Sequence, residues 1–179
     1  MKLKLAATIV TLTFAGIASQ SAMAAGIPDG QVAFSGKIEA TTCTNKGMNY
    51  VNLGTLALSD ASMKKPGDKG INNRFYIDLE NCDTTAMKNA TVQFSGTTDS
   101  IDAALLAVDV GNGKGQGVGV QIMDVDGASI LGADSRAYPL LDGVNKLPFD
   151  ARFVRTMAEA SQMIAGDVTA VAQFNITYK

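Results

Sequence analysis

The chain is 179 residues long, with a formal net charge of −2, 46% hydrophobic residues and neither histidine nor tryptophan. That length suits one domain with a full-sized core, and the mild acidity argues against nucleic acid or an anionic membrane surface as partner. Without histidine the commonest general base is missing, and without tryptophan the best sugar-stacking ring, so a hydrolase or a lectin pocket is an unattractive reading.

In chain order, Met1-Lys-Leu-Lys4 is a short basic start followed by an apolar run over 5–18 and the small residues Ala22-Met23-Ala24. This is the pattern of a secretory signal peptide, whose apolar core is too short to span a bilayer. Cleavage is expected after Ala24, and Lys2 and Lys4 leave with the signal, so the exported chain is more acidic than the whole. Residues 25–30 have too little apolar content to fold alone. They lead into an alternating run in which Gly30, Val32, Phe34, Gly36, Ile38 and Ala40 share one face. Strands average about five or six residues, so this run is too long for one, and Gly36 is a natural break. Two strands are predicted, over 28–35 and 37–44.

Further strands are predicted over 48–58, 74–80, 90–95 and 117–124, with a short continuation over 129–131 and a longer strand over 147–156. Asp126-Gly127 between two β patterns predicts a hairpin turn, and 83–88 and 105–108 have room for a helical turn at most. No internal repeat or low-complexity linker interrupts the chain, and its many short strands predict an antiparallel sandwich. The last run alternates throughout: Gly166, Val168, Ala170, Ala172, Phe174, Ile176 and Tyr178 are apolar or small, and all intervening residues but Val171 are polar. Successive side chains of a strand point to opposite faces, so 166–178 predicts a strand with one apolar face. No later segment is expected to cover its edge, and open apolar edges are ones that proteins ordinarily blunt.

Cys43 and Cys82 both lie in the exported part. An oxidising compartment favours one intrachain disulfide between them, worth roughly 4 kcal/mol on the chain-entropy model. The alternative is a free catalytic or metal-binding thiol, which no histidine would assist.

Val32-Ala-Phe-Ser-Gly36 leading to Cys43, Val51-Asn-Leu-Gly54, and Phe75-Tyr-Ile-Asp-Leu-Glu-Asn-Cys82 form an ordered series. Val92-Gln-Phe-Ser-Gly96, Gly117-Val-Gly-Val-Gln-Ile-Met-Asp124 and Leu147-Pro-Phe-Asp-Ala-Arg-Phe153 continue it, and Gly166 and the penultimate Tyr178 close it. In that order and spacing the chain resembles the type 1-like fimbrial pilins of the chaperone–usher pathway of Gram-negative bacteria, and among them the major repeating subunit. Pro28 near the exported N-terminus and the glycine-rich stretch 111–119 depart from the pattern.

The resemblance implies an all-β, incomplete immunoglobulin-like sandwich lacking its last strand. It divides the chain into a signal peptide (1–24), an N-terminal donor-strand arm (25–36) and a pilin domain (37–179). The C-terminal run (Gly166, Val168, Ala170, Ala172, Phe174, Ile176, Tyr178) would border an acceptor groove. A periplasmic chaperone would fill that groove until, at the outer-membrane usher, the arm of the next subunit replaces it. Pro28, Gly30, Val32 and Phe34 are the expected inward donor positions, with Gly30 setting register because it needs no side-chain pocket. Strand addition draws affinity from main-chain hydrogen bonds and specificity from alternate side chains. An arm and a groove on different parts of one molecule make a heterologous contact, which yields an open filament when it does not close. The expected partners are therefore copies of itself, other fimbrial subunits, a chaperone and an usher, at the cell surface and without a cofactor. The alternatives are a monomeric secreted immunoglobulin-like binding module, for instance one whose arm folds into its own groove, and a minor adaptor pilin.

Other motifs carry less. Gly111-Asn-Gly-Lys-Gly-Gln-Gly-Val-Gly119 fails as a phosphate-binding loop, because Gly115 rather than Ser or Thr follows Lys114 and no helix-forming stretch comes after. It reads as a loop entering a strand. Asp99, Asp102, Asp124, Asp126 and Asp134 lack calcium-loop spacing. The sequons at Asn89 and Asn175 have no role in a bacterial reading.

Overall fold

The computed structural model describes residues 35–36, 43–47, 49–57, 59 and 63–179. Apart from residues 35–36, all of these belong to the unit Glu39–Lys179. The signal peptide, the donor positions Pro28, Gly30, Val32 and Phe34, and nearly all of the predicted strand over 37–44 lie outside the described residues.

Among the described residues, seven strands form two antiparallel sheets. They are β1 (Thr44–Asn45), β2 (Asn73–Cys82), β3 (Asn89–Ser95), β4 (Val118–Asp124), β5 (Tyr138–Pro139), β6 (Gly143–Arg155) and β7 (Gln173–Tyr178), with one 3-10 turn at Ala160–Gln162. The first sheet runs β1-β2-β6-β4 and the second β5-β3-β7. The expected all-β sandwich is what the chain forms.

Period-two burial explains the long strands. In β2, Ile77 and Leu79 are completely buried while Tyr76 is exposed. Leu147, Phe149, Ala151 and Phe153 of β6 turn into the same core. The two sheets meet through aromatic rings: Phe94 of β3 lies 5.1 Å from Phe149 of β6 and 6.0 Å from Phe75 of β2, and Tyr138 of β5 lies 5.5 Å from Phe149. Edge-to-face pairs of this kind stabilise a core beyond the area they bury.

Pro148 sits inside β6, which has partners on both sides, although proline cannot donate to a ladder. The placement is allowed because β4 ends at Asp124, opposite Phe149. Beside Pro148 there is no β4 ladder left, and the Tyr138 hydroxyl reaches its carbonyl at 2.8 Å. The same hydroxyl donates to the buried Asp124 carboxylate at 2.5 Å. Burial, reinforced by that carboxylate, pushes the Tyr138 phenol well above its ordinary range.

On the outer face of the first sheet, Arg74 grips Asp150 through two hydrogen bonds of 2.9 Å. That grip holds the Asp150 carboxyl below its usual range.

Four expectations are corrected, the first being the short strand over 129–131, where only isolated bridges form, from Ser129 to Met123 and from Leu131 to Phe94. No strand forms over 49–57, because Asn52 Oδ1 accepts from the Gly54 N–H at 2.8 Å and Gly54 takes φ +75°. That local turn competes with the extended backbone, and it leaves Tyr50 92% exposed. The last strand is shorter than predicted: only Gln173–Tyr178 pairs as a strand. The strand predicted over 147–156 starts earlier, at Gly143. Its first residues were obscured by the buried polar Asn145, whose side chain donates to and accepts from the main chain of Leu141. The turn at Asp126-Gly127 forms as expected, with Gly127 at φ +88° and its N–H donating to Asp124 O.

Candidate functional site

β7 pairs with β3 from Ala90↔Tyr178 to Ser95↔Gln173 and lies at the end of its sheet. Among the described residues no strand covers its other edge. The carbonyl of Lys179 accepts from the N–H groups of Lys88 and Asn89, which fastens the end of the strand.

Ahead of β7 the ladder stops, yet the alternation continues. Val168, Ala170, Ala172, Phe174, Ile176 and Tyr178 are all half-buried and pack on the core, while Thr169, Val171, Gln173, Asn175 and Thr177 are exposed. The contrast with β3 is informative. Its inward residues Ala90, Val92 and Phe94 are almost fully buried in the same core, whereas those of the C-terminal segment are not. An apolar face laid on the core but incompletely covered is what a missing neighbour would leave. Burial raises the Tyr178 phenol above its ordinary range.

The start of this segment is held by the glycine-rich stretch. Asp167 N donates to Gly113 O (3.1 Å), Gly115 N donates to Asp167 O (3.0 Å), and Asp109 N donates to Thr169 O (2.8 Å). Two glycines make this approach possible. A Cβ on Gly115 would meet Gly166 O at 2.8 Å, and one on Gly166 would meet Gly115 N at 2.7 Å. Side chains tie off the outside: Lys114 Nζ donates to Thr169 Oγ1 (3.0 Å), which in turn donates to Asp109 Oδ2 (2.6 Å). The stretch expected to be only a loop entering a strand is thus a main-chain partner of residues 166–169.

Beside this junction lies an open cleft of about 730 Å³. Gly54–Ala57 form one wall and residues 163–169 the other, over a floor that includes Val118 and Phe153. Polar and apolar groups line it in nearly equal measure, and Val168 belongs both to this lining and to the half-buried face of the C-terminal segment. Alternating half-buried side chains beside a strand at the end of its sheet are the kind of surface to which an extended peptide can add. Among the described residues no group of His, Cys, Asp or Glu is arranged to hold a metal.

Of the residues singled out from sequence, Cys43 and Cys82 form a disulfide. A shift in the β2–β6 register between Leu79 and Cys82, with Asn81 at φ +53°, accompanies the end of β2 that carries Cys82. Gly166 lies exposed at the mouth of the cleft, and the other six C-terminal positions line up along the core. Sequence reasoning missed the wall at Gly54–Ala57 and the partners Asp109, Lys114 and Gly115. The available signal was the repeated glycine spacing of 111–119, which marks close main-chain approach as readily as it marks a mobile loop.

The family model described as "Fimbrial protein" matches residues 32–179. The probable major fimbrial subunit LpfA of Escherichia coli O157:H7 is 33% identical over 175 residues, spanning 96% of each chain. Among solved structures, one of a chaperone–usher pilus is 25% identical, with a TM-score of 0.62, over 86% of this chain and 99% of that one. The P pilus rod subunit PapA shares the fold at a TM-score of 0.63 and 23% identity, over 78% of this chain and 100% of that one.

Proposed function

The chain belongs to the fimbrial protein family, and from that membership we propose that it joins its neighbours by exchange of N-terminal strands into the groove beside its C-terminal segment. It is a structural subunit of a cell-surface fimbrium of the chaperone–usher type, exported through the periplasm and supporting bacterial adhesion. It assembles with copies of itself and other fimbrial subunits, after escort by a periplasmic chaperone and delivery to an outer-membrane usher. The family is one of structural pilins rather than enzymes.

The proposed joint has two halves. The donor is the arm over 25–36, with Pro28, Gly30, Val32 and Phe34 entering the groove. The acceptor is the domain over 37–179, with Gly166, Val168, Ala170, Ala172, Phe174, Ile176 and Tyr178 along one side. The observation that carries this reading is the half-buried alternation from Val168 to Tyr178, laid on the same core that almost fully buries β3. A strand added there would bury apolar area at roughly 25 cal/mol per Å² and satisfy the free main-chain edge at once.

The test separates the two halves. Gly30→Arg places a long charged side chain where the arm is expected to need none. Chaperone-bound subunits carrying it should accept an arm from wild type but fail to donate their own. In surface extracts run on a denaturing gel without acid boiling, wild type should give a ladder and the variant expressed alone should give none. Normal ladders from the variant would refute the arm assignment, and a single monomer band from wild type would favour a monomeric binding module instead.

A further inference from the structure

Arg155 ends β6 and is only 3% exposed. Arginine is almost never this buried unless its charge is matched by well-placed partners. Here each guanidinium nitrogen bonds a main-chain carbonyl. Nε donates to Met157 O (2.8 Å), Nη1 to Met63 O (2.9 Å) and Nη2 to Ala158 O (3.0 Å). Its own main chain is engaged as well, donating to Asp68 O and accepting from Gly67 N.

These three carbonyls come from two segments far apart in sequence. Met63 stands six positions after the wall at Gly54–Ala57 in the sequence. Met157 and Ala158 open the stretch that leads through Ala160–Gln162 to the opposite wall at 163–169. Between them stands β6, whose Phe153 is part of the cleft floor. Met163, on the cleft lining, rests over Gly117, where an added Cβ would meet Met163 Cγ at 2.9 Å. The Gly117 carbonyl accepts from the N–H groups of Thr156 and Met157 on either side of the same corner. The planar guanidinium presents its donors in a fixed fork, so it can fix three chain segments relative to one another in a way that a lysine ammonium cannot.

We propose that Arg155 is a positioning residue for strand acceptance, bracing the two walls of the cleft so that it stays open to an incoming arm. The inference rests on the reading of that cleft as part of the acceptor groove. A braced cleft pays no ordering cost when the strand enters, which is where preorganisation shows its effect. Without the brace, the corner at 157–163 is free to settle onto the cleft floor.

The experiment uses purified chaperone–subunit complexes and a synthetic peptide of residues 25–36, and measures the rate at which peptide displaces chaperone. Wild type serves first: if its complex does not take up the peptide, the groove reading itself fails. Given uptake by wild type, Arg155→Met should slow displacement by about tenfold or more, the factor corresponding to loss of one hydrogen bond to a charged group. Arg155→Lys, which keeps the charge but not the fork, should also be slowed. Donation by both variants into a wild-type groove should be unchanged, a split that a general loss of stability would not produce. A wild-type rate in either variant overturns the proposal, as does equal slowing of donation and acceptance. If neither variant accumulates with the chaperone while Arg152→Lys does, Arg155 is needed for folding alone and the proposal also fails.

Discussion

At Gly166 two stretches of main chain approach so closely that a methyl group has no room. A Cβ there would meet Gly113 O at 2.5 Å, and Gly115 N and Lys114 C each at 2.7 Å. All three atoms belong to the backbone, so relief requires moving the glycine-rich stretch and stretching the bonds it makes to Asp167. Gly166→Ala is therefore expected to cost about 1–3 kcal/mol, the usual penalty for forcing extra volume into a packed site. Gly127→Ala is the comparison, since Gly127 has φ +88° but open space around it. Its cost should come from backbone strain alone, about 1 kcal/mol. Urea midpoints of the two variants decide the matter: a Gly166 variant no less stable than the Gly127 variant would mean that the glycine-rich stretch yields. Gly166 was legible in the sequence as the start of an alternating run. Its counterpart Gly115 was not, because nothing local reveals which distant main chain a glycine is meant to admit.

β7 and the segment before it show how far a periodic pattern carries. Alternation reports which side chains share a face, and it is obeyed from Val168 to Tyr178 even where the ladder with β3 has stopped. It does not report hydrogen bonding, so the predicted strand extended too far towards the N-terminal side. The run at 49–57 failed for a related reason: its apolar spacing suited a strand, but the Asx turn from Asn52 to Gly54 took the backbone first. Tyr138–Pro139 is a strand only because Asn89 and Ala90 lie opposite it, a tertiary circumstance with no local signature. For β7 the alternation makes an energetic prediction. Phe174 stands 6.0 Å from Phe94 and is half-buried. Phe174→Ala should cost about 2 kcal/mol, less than the roughly 3–5 kcal/mol of a fully buried phenylalanine. It should also weaken chaperone binding, because the lost ring belongs to the face a visiting strand would cover. Asn175→Ala, one residue on but pointing outward, should do neither. Equal effects of the two in denaturation and in chaperone pull-down would mean that this face is not where the partner docks.

For the whole molecule, the decisive circumstance is that, among the described residues, one side of the sandwich core is only half covered. A domain's stability is a small difference, about 5–15 kcal/mol, between large opposing terms, so a core missing part of its cover has little in reserve. The Cys43–Cys82 bond then matters more than it would in a finished sandwich. Its two ends are separated by 39 residues, and on the chain-entropy model closing such a loop is worth about 4 kcal/mol. The bond also secures residues that border the site, because the loop contains both the cleft wall at Gly54–Ala57 and Met63, which Arg155 holds. Replacing both cysteines by serine should therefore act unequally on the two states of the subunit. Before assembly, the variant should fail to accumulate in the periplasm, since an incomplete core that also lacks the cross-link falls near the threshold of folding. After assembly, an inserted strand would supply the missing cover, so reducing the disulfide in finished fimbriae should leave the filaments intact. Immunoblots of periplasmic extracts measure the first effect, and electron microscopy of fimbriae treated with a thiol reductant under native conditions measures the second. Normal periplasmic levels of the double variant would show that the half-covered core is stable without the bond. Filaments that fall apart on reduction would show that the added strand does not complete it.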